Sequence, residues 1–321
     1  MMHAIVARQA GGPEVLELTE VERPVPGPGQ LLVKVSAVGV NFIDTYKRSG
    51  VYKVPYPFTP GSEAAGTVAE VGEGVTGFSP GDRVATAEGV NSYAGYALVD
   101  EAKALPVPPG VDDFTAAALP LQGITAHYLI NSSFRVEPGH TVLLHAGAGG
   151  VGLLLIQLLK AKGARVITTV STDEKEQLAR DAGADHVLRY ADFSAKVREL
   201  TDGTGADVVY DGVGKDTFDD SLAALRIRGT LVLFGAASGP VPPFDPQRLN
   251  AGGSLYLTRP TINHFLLNPQ ERRWRSDEIF AAAANGTLKV RIGARYDLAE
   301  AAQAHTDLEQ RRTTGKVILV P

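Results

Sequence analysis

The most chemically specific spacing in the chain is Gly147-Ala148-Gly149-Gly150-Val151-Gly152, a G-x-G-x-x-G. Each glycine has its own task in that spacing. Gly147 permits a tight turn, Gly149 lets the backbone approach a pyrophosphate, and Gly152 lets a helix lie close to a strand. Amides at the start of that helix, aided by its dipole, would face the phosphate oxygens. The chain holds 35 glycines, so the hexapeptide alone says little. Its setting says more: an apolar strand over Thr141–His145, an apolar helix over Gly150–Lys162 and a second strand over Arg165–Val170. Together these predict a dinucleotide-binding turn.

The tip of the second strand bears on which dinucleotide is bound. Domains that take NAD place an Asp or Glu there, about 20 residues past the glycines, on the ribose hydroxyls. Here the strand ends Thr168-Thr169-Val170-Ser171, with no carboxylate at its tip. A 2′-phosphate would find the Ser171 hydroxyl and then Lys175, one turn into the next helix, so NADPH is the expected coenzyme. Asp173 and Glu174, at the start of that helix, oppose a phosphate by charge. Two more strands end in Val213-Gly214 and Phe234-Gly235, and the carboxyl ends of parallel strands are where ligands bind in such sheets.

These residues need a frame, and the surrounding pattern supplies one of α/β class. Residues 1–122 read as mostly β. Alternating strands run near His3–Arg8, Val15–Glu20, Leu31–Val38, Gly66–Val71, Arg83–Ala87 and Tyr96–Val99, with Pro/Gly turns between them. That punctuation predicts a small antiparallel barrel. A short helix is expected within 41–50, and a longer one over 112–131, broken near Pro120, bridges to the next domain. Residues 123–260 alternate strand and helix, the pattern of a doubly wound parallel sheet. Its helix over 173–181 reads as opening with a capping box at Ser171–Glu174. Residues 261–321 carry a helix near 270–284, a strand at Leu288–Ile292, a helix at Leu298–Arg311 and a last strand at Lys316–Val320. This tail is expected to return to the first domain.

Bulk properties exclude several classes. The chain has 321 residues, 44% of them hydrophobic and 21% charged. It has no apolar run of the roughly 18 residues a membrane span needs. The start, Met-Met-His-Ala-Ile-Val-Ala-Arg, reads as a first strand and not as a signal peptide, which makes a cytoplasmic location the default. A net charge of −5 without a basic stripe argues against general nucleic-acid binding. With no cysteine there is no disulfide, no thiol catalysis and no cysteine-ligated zinc. None of the seven histidines is paired at metal-ligand spacing, so no catalytic metal is expected.

Several stretches together resemble one family. Pro60–Val68, Val71-Gly72-Glu73-Gly74-Val75 and Gly81-Asp82-Arg83-Val84 are similar to the medium-chain dehydrogenase/reductase superfamily. Asn41–Tyr46 with Arg48, Gly50 and Tyr52, and His145 through Gly152, are similar to its zinc-free quinone oxidoreductase branch. The resemblance covers nearly the whole chain. Zinc-dependent relatives carry Gly-His-Glu where this chain has Gly61-Ser62-Glu63, and they have cysteines that are absent here. It implies a GroES-like, mostly-β catalytic domain, a Rossmann nucleotide domain, a cleft between them and a homodimer. It places the nicotinamide pocket on Asn41, Phe42, Asp44, Thr45 and Tyr46, with Tyr52 nearby. Asn41 would hydrogen-bond a carboxamide or substrate carbonyl, and Tyr46 and Tyr52 would offer ring faces and hydroxyls to a quinone. Thr125 and Tyr128 lie beside the cofactor in the family pattern, Gly150 and Val151 on the pyrophosphate, and Val213, Phe234, Gly235 and Ala236 along the rest of its track. Lys175, Tyr190 and Arg311 fall where the branch holds the 2′-phosphate.

The implied activity is NADPH-dependent, metal-free reduction of quinones. Reduction of an activated double bond, in enones or alkenals, needs the same hydride geometry. A third class, the non-catalytic crystallin-like role with NADPH and RNA binding seen in the branch, would need a basic surface.

Overall fold

The computed structural model describes residues 1–321. It divides into two compact units, Met1–Gln122 with Arg272–Pro321, and Gly123–Glu271. The sequence pattern puts the return at residue 261, but residues 261–271 stay with the second unit. Phe265 stacks flat on Tyr128 at 4.3 Å, which ties that segment to its own unit.

The first unit begins with β1 (Met2–Ala7), β2 (Leu16–Val21), β3 (Gln30–Val40), α1 (Phe42–Arg48) and β4 (Glu63–Val71). It continues with β5 (Arg83–Thr86), β6 (Tyr96–Asp100), β7 (Leu105–Pro106) and α2 (Asp113–Ala118). The division falls inside α3 (Pro120–Tyr128). The second unit runs through β8 (Thr141–Leu144), α4 (Gly150–Ala161), β9 (Arg165–Thr169), α5 (Asp173–Asp181), β10 (His186–Leu188) and α6 (Phe193–Leu200). It closes with β11 (Ala206–Asp211), α7 (Phe218–Ala223), β12 (Leu225–Leu233), α8 (Gln247–Ala251) and β13 (Tyr256–Thr258). After α9 (Pro269–Ala284) come β14 (Ile292–Asp297), α10 (Ala301–Glu309) and β15 (Lys316–Val320).

In the first unit β3 is the central strand. It pairs antiparallel with β4 along its length, with β6 at its start and with β15 at its end. The C-terminal strand β15 is thus part of this sheet. The sheet is not wholly antiparallel, because β14 pairs parallel with β15. The strand expected at Leu288–Ile292 lies later for the same reason. Its partner covers Lys316–Val320, so Ile292–Asp297 pairs, while the Leu288 amide is bound to Ala282 O at the end of α9. Ile5, Leu16, Val38, Val40, Tyr93, Leu298, Val317 and Leu319 form the core.

The second unit is built on a six-stranded, all-parallel sheet in the order β10-β9-β8-β11-β12-β13. This is the doubly wound order, with its switch point between β8 and β11, where such sheets open a ligand crevice. Leu143, Ile167, Val209 and Leu231 bury one sheet face against Phe193, Val197, Phe218 and Leu222. The helix α4 buries Leu154, Leu155, Ile156 and Leu159. Its largely apolar character, broken only by Gln157 and Lys160, follows from that burial. The capping box expected at Ser171 does not form. The α5 cap is Thr172, whose hydroxyl accepts from the Lys175 amide, and a lysine at that position cannot return the bond to the cap.

Candidate active site

The glycine turn follows β8, at the switch point. Its left-handed residue is Ala146, with φ 56°, and not Gly147. Gly147 is needed for space: a Cβ there would lie 2.3 Å from Thr168 Oγ1. A Cβ on Gly152 would lie 2.3 Å from Ala146 O and 2.9 Å from Gly147 backbone, so only glycine lets α4 come this close. Gly149 differs, since its Cβ would meet only Ala146 O at 3.2 Å. Gly149 is also the N-cap and has no side chain to satisfy the first turn. The amides of Gly150, Val151 and Gly152 have no partner within the helix and face outward with the positive end of its dipole. This cradle fits a pyrophosphate.

Beside it, β11 ends at the buried Asp211. Its Oδ1 accepts from the Val213 amide at 2.8 Å and the Gly214 amide at 2.9 Å. The β12 end packs on the same loop. A Cβ on Gly235 would lie 2.5 Å from Gly212 O, and the Phe234 amide donates to Asp211 O at 2.8 Å. Ala236 follows, its carbonyl accepting from the Gly239 amide at 2.9 Å. Beyond β9, Ser171 is exposed, and Lys175 and Tyr190 are half-buried. Arg189, next to Tyr190, pairs with Asp173 at 2.5 Å and Glu176 at 2.9 Å. It thereby offsets the acid charge at the start of α5 that opposes a phosphate. Thr125 and Tyr128 are buried on α3.

In the first unit, Asn41 caps α1 and is buried. Its Nδ2 donates to Glu63 Oε2 at 2.8 Å and to Gly39 O at 3.1 Å, and its Oδ1 accepts from Lys316 Nζ at 2.8 Å. Lys316 Nζ also donates to Glu63 Oε2, and Glu63 Oε1 accepts from the Leu121 amide at 2.7 Å. Both Asn41 donors are therefore taken. It cannot donate to a substrate carbonyl, as the family pattern suggested, and only an Oδ1 lone pair remains to accept from a carboxamide. Gly39 makes room for this arrangement, because a Cβ there would lie 2.2 Å from Glu63 Oε2.

Asp44 is wholly buried. Its Oδ2 accepts from the Asn41 amide at 3.0 Å and from Tyr93 Oη at 3.3 Å, while Oδ1 has no partner. Burial pushes its pKa up to about 6 against the opposing charges of Lys47 and Lys316. Tyr93 also meets His305 Nε2 at 2.9 Å, and Arg48 lies 3.2 Å from His305 Nδ1. Arg48 can only donate, so His305 accepts at Nδ1 and donates from Nε2 to Tyr93. Burial, then the Arg48 charge, lowers the His305 pKa to about 3, which keeps the ring neutral. Thr45 is buried and donates to Phe42 O at 2.8 Å. Phe42, Tyr46 and Tyr52 form an aromatic run, with Tyr46 and Tyr52 edge to face at 5.4 Å. Tyr52 is 43% exposed. No group of three or more His, Cys, Asp or Glu is placed to hold a metal ion.

The chain matches the alcohol dehydrogenase GroES-like domain over residues 27–109 and the zinc-binding dehydrogenase domain over residues 150–279. It is 46% identical over 315 residues to a quinone oxidoreductase of Pseudomonas aeruginosa, with 97% of each chain covered. It belongs to the quinone oxidoreductase family of medium-chain dehydrogenases/reductases. A member from Burkholderia named as a 2-haloacrylate reductase is 41% identical, covering all of this chain and 99% of its own. A solved mycobacterial structure complexed with NADPH is 54% identical, with a TM-score of 0.98 and both chains covered in full.

Sequence missed Lys316, Glu63, Tyr93 and His305 as site residues of this family member. Lys316 opens an otherwise apolar strand, and a cation in that setting is the one local sign that it is paired internally.

Proposed function

We propose that this chain is an NADPH-dependent reductase of quinones. The observation that carries the proposal is the cradle: three unclaimed helix amides behind glycine positions that cannot take a Cβ, at the switch point of a parallel sheet. Bound there, NADPH supplies the hydride. Gly147, Gly149, Gly150, Val151 and Gly152 hold the pyrophosphate, and Val213, Phe234, Gly235 and Ala236 continue the track, with Thr125 and Tyr128 beside it. Ser171, Lys175 and Tyr190 receive the 2′-phosphate, and Arg311 is assigned to that phosphate by the family pattern alone. Asn41 accepts from the carboxamide through Oδ1, while Phe42, Asp44 and Thr45 shape its surroundings. Tyr46 and Tyr52 present ring edges and hydroxyls to the substrate. A quinone accepts hydride without a Lewis acid, so no metal is required.

Reduction of an activated double bond is the second reading, favoured by the similarity to the Burkholderia 2-haloacrylate reductase. The test follows NADPH and NADH oxidation with quinones, enones, alkenals and 2-haloacrylates. Turnover with NADPH and quinones is expected. A charged hydrogen bond contributes about 1.5–3 kcal/mol, so Lys175→Ala or Arg311→Ala should weaken NADPH binding roughly 10- to 100-fold and leave NADH nearly unchanged. Equal losses for both coenzymes, or a preference for NADH, would overturn the phosphate assignment.

A further inference from the structure

His145 follows β8, one residue before the left-handed Ala146 that opens the glycine turn, and it makes no part of the cradle itself. It is buried, and both ring nitrogens are occupied: Nε2 lies 2.9 Å from Ser221 Oγ, and Nδ1 lies 2.8 Å from Thr169 Oγ1. The proton positions follow from the partners. Ser221 Oγ donates to Asp211 Oδ2 at 2.9 Å, because a carboxylate can only accept. Having one hydrogen, Ser221 must then accept from His145 Nε2–H. Burial lowers the His145 pKa against the nearby Asp211, so the ring is neutral and Nδ1 is bare. Thr169 therefore donates to Nδ1.

Each end of this chain holds a different cofactor loop. Asp211 uses its other oxygen for the amides of Val213 and Gly214. Thr169 accepts the Gly147 amide on its carbonyl at 3.1 Å, which anchors the glycine turn. The His145 ring lies near Tyr190, at 6.1 Å between centroids and 27° between planes, and its edge meets Phe193 at 4.7 Å. Three loops that border the cradle thus converge on one imidazole, across the carboxyl ends of β9, β8 and β11.

We propose that His145, as the Nε2–H tautomer held between Ser221 and Thr169, is a positioning residue for the dinucleotide: it locks the glycine turn and the Val213 loop into one rigid cradle. This rests on the NADPH reading above. A cradle set before binding spares the ordering that a loose one would require.

The test removes one hydroxyl without removing volume. Thr169→Val keeps the branched shape a strand favours, and Thr169→Ser keeps the hydroxyl. Thr169→Val should raise the NADPH Kd and KM by about 5- to 10-fold, the loss expected for one hydrogen bond. The kcat at saturating NADPH should move less than about two-fold, and Thr169→Ser should bind within about two-fold of the wild type. Nitrogen-15 NMR of the imidazole should show the Nε2–H tautomer in the wild type and its disturbance in Thr169→Val. A Thr169→Val protein that melts earlier but binds NADPH as the wild type does would overturn the positioning role while leaving the NADPH reading intact. So would a wild-type ring protonated at Nδ1. Failure of the wild type to bind NADPH at all would overturn both.

Discussion

Asp44 sits wholly buried, with one oxygen held by the Asn41 amide and Tyr93 and the other without a partner. Its pKa rises from 3.8 to about 6, chiefly through burial, helped slightly by Glu63 and opposed by Lys47 and Lys316. Because the folded state holds the proton more tightly, this residue stabilises the fold at acid pH. The contribution is lost as pH rises from 3.8 through about 6. Between pH 5 and 8 the loss is about 1 kcal/mol. Asp44→Asn removes this dependence. Its stability relative to wild type, from urea unfolding, should therefore improve by about 1 kcal/mol between pH 5 and 8. The absolute stability of the variant is a separate matter, because its new amide N–H occupies the position without a partner. A constant difference across that range would show that Asp44 is ionised throughout.

At the scale of elements, the glycine turn separates two demands that one motif merges. Gly152 serves the fold, since any Cβ meets backbone that cannot yield, whereas Gly149 is less constrained, since its Cβ would meet only Ala146 O, at a tight 3.2 Å. Gly152→Ala should cost about 1–3 kcal/mol of stability, as overpacking does. Gly149→Ala should lose less stability than Gly152→Ala, because its one contact is 3.2 Å and not 2.3 Å, yet bind NADPH weakly, because its methyl stands where the pyrophosphate approaches. Thermal melts with and without NADPH read both effects. Equal stability losses in the two variants would mean that the turn is one steric unit. The strand β14 makes the same point about position: only its partner β15 fixed which residues of that tail pair.

For the whole molecule, the nucleotide sheet ends in an exposed strand edge. The strand β13 is that edge, only three residues long, and Ser254 ahead of it is left-handed at φ 55°. Leu255 and Leu257 turn into the core, so the exposed apolar side chains at this end of the sheet are Tyr256 on β13, 61% exposed, and Ile227 on β12, 70% exposed. An unpaired edge invites a second copy under two-fold symmetry, and a homodimer through β13 is the proposal. Sedimentation at micromolar concentration should give a dimer mass, and Tyr256→Lys should shift it toward monomer. A monomeric wild type would refute it.

The sequence by itself determined what depends on near neighbours. The glycine spacing between an apolar strand and an apolar helix, the strand tip without a carboxylate, the β-then-α/β order and the lack of cysteine are all local, and all were legible. The tertiary structure decided what depends on partners far along the chain. Lys316 meets Asn41 across 275 residues, and His305 meets Tyr93 across 212. The first takes a lone pair of Asn41 Oδ1, and the Nδ2 donors, which the residue type alone left open to a substrate, go to Glu63 Oε2 and Gly39 O. Only the packed turn showed that Ala146, and not Gly147, takes the left-handed conformation. Local spacing sets backbone conformation and helix starts, whereas the partner of a buried polar group is set by which strands pair, and pairing over such separations leaves no periodic trace in the sequence.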